Sequence, residues 1–305
     1  MKNKDVLEII ECLPNERTLF YYFKDRYALE MLRLAINESA TVGALRRSPI
    51  AALLDKPIVK ATVRGDGLVI AEALRHVYRQ EHEIYRLTLD AWGSGSCIGD
   101  QTSRPGRNLV LQLNFSNKHD TAYKELITCE GISPFMSYAH PVALDGLNTL
   151  AWSRLDIDLA TGEALIEEIQ SDWLRFAAHA FQCSRNWRRA FRYGGVGLSV
   201  RNLQTYVRDV LAPHQSIWDE AMLMATIWFL RYELGVRTIY FHTHASGAAL
   251  KRIEGRLPPR SIYEALPKRF CFQKSDAKPS FLHVKSRRSA RRKLLDQARF
   301  RVLAL

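Results

Sequence analysis

Hydrophobic positions change their period partway along the chain. Up to about residue 90 they recur at helical spacing: "RTLFYYFKDRYALEMLRLAI" presents a long apolar stripe, and "TVGALRRSPIAALLDKPIVKA" predicts short helices broken at Pro49 and Pro57. Residues 1–91 are therefore expected to form a small helical domain. The run "WGSGSCIGDQTSRPGR", residues 92–107, is rich in glycine, serine and proline and reads as a linker or long loop. Beyond it the pattern is mixed. "NLVLQLNFS" (108–116) and "TLAWSRLDIDL" (149–159) read as strands, and the second passes through "ATGE" into "ALIEEIQSD" as a hairpin. Helices are predicted over 173–192 and 201–211, on either side of the loop "GGVGLS". "SIWDEAMLMATIWFLRYELG" predicts a helix with Ser216 as N-cap, Asp219 near a capping-box position and Gly235 as the stop; apolar nearly all round, it is expected to be buried. Next come a strand "VRTIYFHTHA", a helix from about Ser246, the segment "SIYEALPKRF" and a last short strand "SFLHV". The expected fold class is α+β: a helical domain, a mixed α/β sheet domain over 108–285 with a hairpin and a buried helix, and a tail over 286–305.

The junction "LIEEIQSDWLRF", residues 165–176, opens like a strand and closes like a helix. Strand alternation sends Glu168, Gln170 and Asp172 to one side and Glu167, Ile169 and Ser171 to the other. So many polar side chains at one turn suit either a site or a buried hydrogen-bonded network in which Asp172 caps the helix beginning near Trp173.

Composition narrows the class. With 305 residues, 47% hydrophobic and 25% charged, the chain reads as a soluble globular protein. The longest uncharged apolar run, "AMLMATIWFL", is too short to span a bilayer and "MKNKDVLEII" has no apolar signal region, so no membrane association and a cytoplasmic location are expected. Cysteines at 12, 97, 129, 183 and 271 form no CxxC pair and read as reduced thiols.

The net charge of +12 is concentrated. Lys285, Arg287, Arg288, Arg291, Arg292, Lys293, Arg299 and Arg301 stand against the single acid Asp296 in the tail, a pattern that binds phosphate by counterion release or forms a solvated basic end. In "SRNWRRAFRY", Arg185, Arg188, Arg189 and Arg192 fall at i, i+3, i+4 and i+7 of a predicted helix, a stripe that an anion or acidic partner would neutralise. Nucleic acid is the expected partner of both.

Three functions compete for the junction. In a metal-dependent nuclease, Asp156 (or Asp158) and Glu168 would hold Mg²⁺ or Mn²⁺, with Gln170 and Asp172 beside them; the cation would stabilise charge on the phosphate and activate water. In an acyltransferase of the GNAT type, "RYGGVG" (192–197) would be the pyrophosphate loop of acyl-CoA. In a non-catalytic nucleic-acid or protein binding module, the junction is architecture. "FHTHAS" puts His242 and His244 on one strand face, a spacing that can chelate a metal or serve ordinary hydrogen bonds; His119 and His140 are weaker signals. Trp173 and Trp218 read as packing anchors, each beside a polar residue that could line a pocket, and with Glu220, His242 and His244 they are the pocket candidates.

"ALIEEIQSDW", "APHQSIWDEAMLMATIWFLRYELGVRTIYFHT" and "SIYEALPKRF" together resemble a domain found inside very large polyvalent proteins of bacteriophages and conjugative elements, over roughly 149–272, and the whole chain resembles related stand-alone bacterial proteins. The Glu-x-Gln-Ser-Asp-Trp run and the Trp218-x-Glu220 pair are its specific parts; Asp156 and Asp158 lie outside it. The resemblance implies a mobile-element or genome-conflict setting close to nucleic acid, and it brings no activity with it.

Overall fold

The computed structural model of the chain describes residues 1–12, 18–63, 67–93, 101–127, 133–142, 146–253, 258–282 and 290–304. Its strands are β1 (Thr18–Tyr22), β2 (Ser39–Thr41), β3 (Leu68–Ile70), β4 (Glu83–Trp92), β5 (Asn108–Asn114), β6 (Thr149–Asp158), β7 (Glu163–Gln170), β8 (Ala190–Tyr193), β9 (Val196–Ser199), β10 (Thr238–His242), β11 (Gln273–Ser275) and β12 (Phe300–Ala304). Its helices are α1 (Asn3–Cys12), α2 (Arg26–Ala35), α3 (Val42–Arg46), α4 (Pro57–Lys60), α5 (Ala71–Arg75), α6 (Asn117–Ile127), α7 (Asp172–Ser184), α8 (Val200–Thr205), α9 (Leu211–Trp228), α10 (His244–Lys251), α11 (Arg260–Arg269) and α12 (Ala290–Gln297). The fold is α+β.

Eight strands join in one mixed sheet in the order β1-β4-β5-β6-β7-β10-β12-β11. Every pairing in it is antiparallel except β7 with β10, which runs parallel. One face packs against α9, whose Ala221 to Ile227 are all buried, and the Thr226 hydroxyl donates to Ser153 Oγ of β6 at 3.0 Å. On the other face Leu165 and Tyr240 pack with Leu250 of α10 and Leu295 of α12. Among the described residues no helix is long and apolar enough to cross a membrane.

Several expectations are corrected. Residues 1–91 contribute β1 and β4 to the sheet as well as helices. The stripe read as one helix from Arg17 splits at Asp25, whose φ of 63° breaks the helical path, and the aromatic run "TLFYY" before it takes the strand conformation that such residues favour. The 92–107 segment joins β4 to its antiparallel neighbour β5, so it connects strands of one sheet; residues 94–100 lie outside the described part, and Thr102 and Ser103 are buried. The tail is not free: β12 lies between β10 and β11, and buried Arg301 donates to the Tyr263 carbonyl at 3.1 Å and pairs with Glu264. Its charges masked the apolar positions Phe300 and Leu303 that bury the strand. "SFLHV" forms no strand over Ser280–Leu282, and its last two residues lie outside the described part.

The helix expected to start at Ser216 starts earlier. α8 runs through a π-helical turn at Tyr206–Val210 into α9, and Ser216 Oγ donates to the Pro213 carbonyl at 2.7 Å in mid-helix. Pro213 lacks an N–H, and the wide turn before it accommodates a position where the regular ladder cannot close. The stop at Gly235 is as expected, with φ of 64°.

Candidate functional site

The polar junction sits on the sheet face opposite α9. Its geometry begins with a β-bulge: Arg154 pairs with Glu168 and Leu155 with Ile166, so Glu167 is an extra residue in β7. Strict alternation would put the two glutamates on opposite faces. The bulge breaks it, and both carboxylates reach the same buried cluster.

Glu167 is fully buried. It accepts from the Ser103 N–H at 2.9 Å, from Ser103 Oγ at 2.8 Å and from His242 Nε2 at 3.0 Å. Parallel pairing of Phe241 with Ile166 brings His242 beside it. Gly247 of α10 permits this approach, since a Cβ there would come within 3.1 Å of the His242 Cβ. Lys251, also buried, donates to the Glu167 carbonyl at 2.9 Å and lies 3.5 Å from the Tyr263 hydroxyl and 3.7 Å from Glu168. Glu168 accepts from Arg154 at 2.5 Å.

Burial alone would raise the Glu167 pKa, but the His242 contact, Lys251 and Ser103 together hold it at about 2. Glu168 is depressed too, since Lys251 and Arg154 outweigh its burial. For Lys251 burial acts downward, and the neighbouring Glu168 carboxylate and Tyr263 reverse it, so the ammonium persists. Burial dominates at His242 and lowers its pKa despite Glu167. The imidazole is therefore neutral near pH 7 and holds Glu167 by an Nε2–H bond, while the ionic balance of the cluster comes from Lys251 and Arg154.

This arrangement does not suit a hard divalent cation. Asp156, expected with Glu168 as a metal ligand, is bound bidentately by Arg104 at 2.6 and 2.7 Å and by the Met1 amine at 3.0 Å. Each carboxylate already faces cations, and among the described residues no group of three or more His, Cys, Asp or Glu side chains could hold a metal ion. His242 and His244 part company at Thr243, which caps α10; His244 Nε2 lies 3.0 Å from the Pro258 carbonyl.

The far end of the junction is more open. Asp172 meets His140 Nδ1 at 2.8 Å, Trp152 Nε1 at 3.1 Å, Gln170 Nε2 at 2.5 Å and Arg175. Burial raises its pKa, but the His140 bond, Trp152 and Arg175 bring the net shift below the ordinary value. Gln170, Asp172 and Glu168 thus share a face, as alternation predicts. The helix cap is Ser171 and not Asp172: its hydroxyl accepts from the Leu174 N–H at 3.2 Å and donates to the Leu150 carbonyl at 2.5 Å. Ser171→Ala is expected to cost about 1 to 2 kcal/mol, read as a lower denaturant midpoint at unchanged slope. A midpoint like wild type would show that the cap contributes nothing.

Trp173 is a packing anchor, as expected: it is buried edge-on against Phe115, Tyr123 and Phe135, with Nε1 donating to the Tyr206 hydroxyl at 2.7 Å. Trp218 is half-buried, and Glu220 is buried in a separate cluster with Lys24, the Asp25 N–H and Arg269, away from the junction residues. Ser103, Arg154, Lys251 and Tyr263 escaped the sequence reading because nothing local marks them as partners of Glu167 and Glu168. His140, a weaker signal beside Pro141 in the sequence, is a partner of Asp172. Free cysteines among the described residues are Cys12, Cys183 and Cys271, of which Cys12 is exposed.

The arginine stripe is not helical. α7 ends at Ser184, Arg185 is its C-cap, and Arg192 lies in β8. Gly194 and Gly195, with φ of 56° and 83°, make the tight turn of the β8–β9 hairpin, the double left-handed geometry of a type I′ turn. "RYGGVG" is thus a hairpin turn, and β9 separates it from the start of α8, so it offers no helix-backed cradle for the pyrophosphate of acyl-CoA. In the tail, Arg287 and Arg288 lie outside the described residues, Arg291 is half-buried in α12 and Arg292 pairs with Asp296.

No protein-family model matches the chain, and no curated protein or solved structure shows significant similarity to it.

Proposed function

We propose that the protein binds single-stranded nucleic acid through the surface formed by the C-terminal end of α7 and the β8–β9 hairpin. The observation that carries this reading is the state of four arginines. Arg185, Arg188, Arg189 and Arg192 are all exposed, and no ion pair to an acidic residue engages any of them among the described residues. Arg292, Arg299 and Arg301, by contrast, are each paired. Like charges gathered without counter-charge repel one another, and a polyanion relieves that repulsion by releasing its own counterions. Trp187, 56% exposed, stands among them, and Arg185 and Arg208 both lie over the Phe181 ring, at 5.7 and 5.6 Å. An open indole amid guanidinium groups suits bases that can stack, which a single strand offers and a duplex does not.

The test is a salt series with labelled oligonucleotides. Replacing Arg188, Arg189 and Arg192 together with alanine should leave melting unchanged, since all three are exposed, and should reduce the slope of log affinity against log salt by about 2, from roughly 0.7 per phosphate contact. Binding indifferent to salt, or equal in the triple variant, would refute the reading.

A further inference from the structure

We infer that His140 and Asp172 form an acid–base dyad that acts on the ribose 2′-hydroxyl of a bound RNA strand and cleaves the adjacent phosphodiester. This rests on the nucleic-acid reading above and adds a reaction to it. Asp172 is 4% exposed and held by donors from His140, Trp152, Gln170 and Arg175. It can only accept, so its bond to His140 makes Nδ1 the donor. The amide nitrogen of Gln170, 3.2 Å from the same Nδ1, gives its hydrogen to Asp172. In the neutral imidazole this network leaves the lone pair on Nε2, for which no partner exists among the described residues, on a side chain 31% exposed. Trp152 and Trp92 stand edge-on to the ring at 5.6 and 6.4 Å and fix its plane. A carboxylate that sets the tautomer and an accessible Nε2 are the parts a general base needs.

Arg175 supplies the anion contact. It is 52% exposed, and beyond the bond to Asp172 its guanidinium has further N–H donors for a phosphate oxygen. Asp172, Arg175, His179 and Cys183 fall along one face of α7, which ends at Ser184 with Arg185 as its C-cap, so a strand held at the hairpin and running along this helix of about 20 Å reaches His140. An imidazole base works best on a nucleophile already beside the phosphorus, and the ribose 2′-hydroxyl is such a group; deoxyribose lacks it. Nε2 takes the 2′-hydroxyl proton as the O2′–P bond forms and the P–O5′ bond breaks. The leaving O5′ takes a proton from water, and the imidazolium returns its proton to the hydroxide, giving a 2′,3′-cyclic phosphate and a 5′-hydroxyl with no net consumption of water.

The experiment incubates the full chain with RNA, 2′-O-methyl RNA and DNA oligonucleotides of one sequence in the presence of a chelator. Only RNA should be cut, with cyclic phosphate ends by mass spectrometry. His140→Ala should slow cutting at least ~100-fold without changing oligonucleotide affinity, while the chain, its melting temperature lowered by the lost bond to Asp172, stays folded at the assay temperature. Asp172 is a positioning residue, so Asp172→Asn should lower kcat with KM unchanged. RNA that is bound with salt dependence yet stays intact, or that His140→Ala cuts as fast as wild type, overturns this inference and leaves the binding proposal standing. Absence of salt-dependent binding overturns both.

Discussion

Lys251→Met is expected to lower the free energy of unfolding by about 3 to 5 kcal/mol, the usual cost of removing one partner from a buried ionic cluster. The ammonium is buried beside Glu168 and bonded to the Glu167 carbonyl. Methionine fills a similar volume but leaves two buried carboxylates with Arg154 as the sole cation bonded to either of them among the described residues. Pairing the change with Glu168→Gln removes one of those charges, so the double variant should recover part of the loss. Denaturant unfolding of the four proteins gives the coupling energy directly. A Lys251→Met protein within about 1 kcal/mol of wild type would show that Arg154 alone balances the cluster.

Acid should unfold the protein in two overlapping stages, the first set by buried histidines. Burial lowers the pKa of His119, His242 and His214, the last to about 3, where the charges of His119 and Lys118 add to burial. A histidine held neutral in the folded state takes up no proton there, while the unfolded chain does so below about 6.5. Stability is therefore full above that value and falls as pH drops below it, by about 1.4 kcal/mol per pH unit for each such histidine until its own folded pKa is reached, which for His214 is about 3. The carboxylates follow. Glu167 is depressed to about 2 and Glu168 and Asp172 are also lowered, so their contribution is present above about 4.5 and is lost as pH falls toward 2. Against a total stability of about 5 to 15 kcal/mol, His214 alone accounts for a loss of about 5 kcal/mol between pH 6.5 and 3, with His119 and His242 acting in the same direction. Denaturant unfolding at pH 7, 5.5 and 4 checks this; an unfolding free energy that does not fall across the series would contradict the neutral state of the buried histidines.

What could be read from sequence was what neighbours in sequence decide. The β6–β7 hairpin, the buried character of α9 and the stop at Gly235 follow from period and from a left-handed glycine. The shared face of Glu168, Gln170 and Asp172 follows from alternation. The bulge at Glu167 has no local signature, and one inserted residue moved a carboxylate across the sheet. Arg185 to Arg192 met the spacing of a helix face, yet Gly194–Gly195 is the stronger signal, because two adjacent residues at positive φ define a hairpin. The polar cluster draws on Ser103, Arg154, Glu167, His242 and Lys251, and no pattern within a window of a dozen residues contains such a set.

The parallel contact between β7 and β10 has a consequence for how the chain reaches this state. β4 to β7 are neighbours both in sequence and in the sheet, so they can assemble from nearby segments. Glu167 and His242 are 75 positions apart, with all of α7, α8 and α9 between them. Contacts of that span are slow to form because a long loop must close before they stabilise anything. A chain in which β7 had paired with β6 but not yet with β10 would carry Glu167 on an open strand edge, where a charge opposes pairing with a second chain.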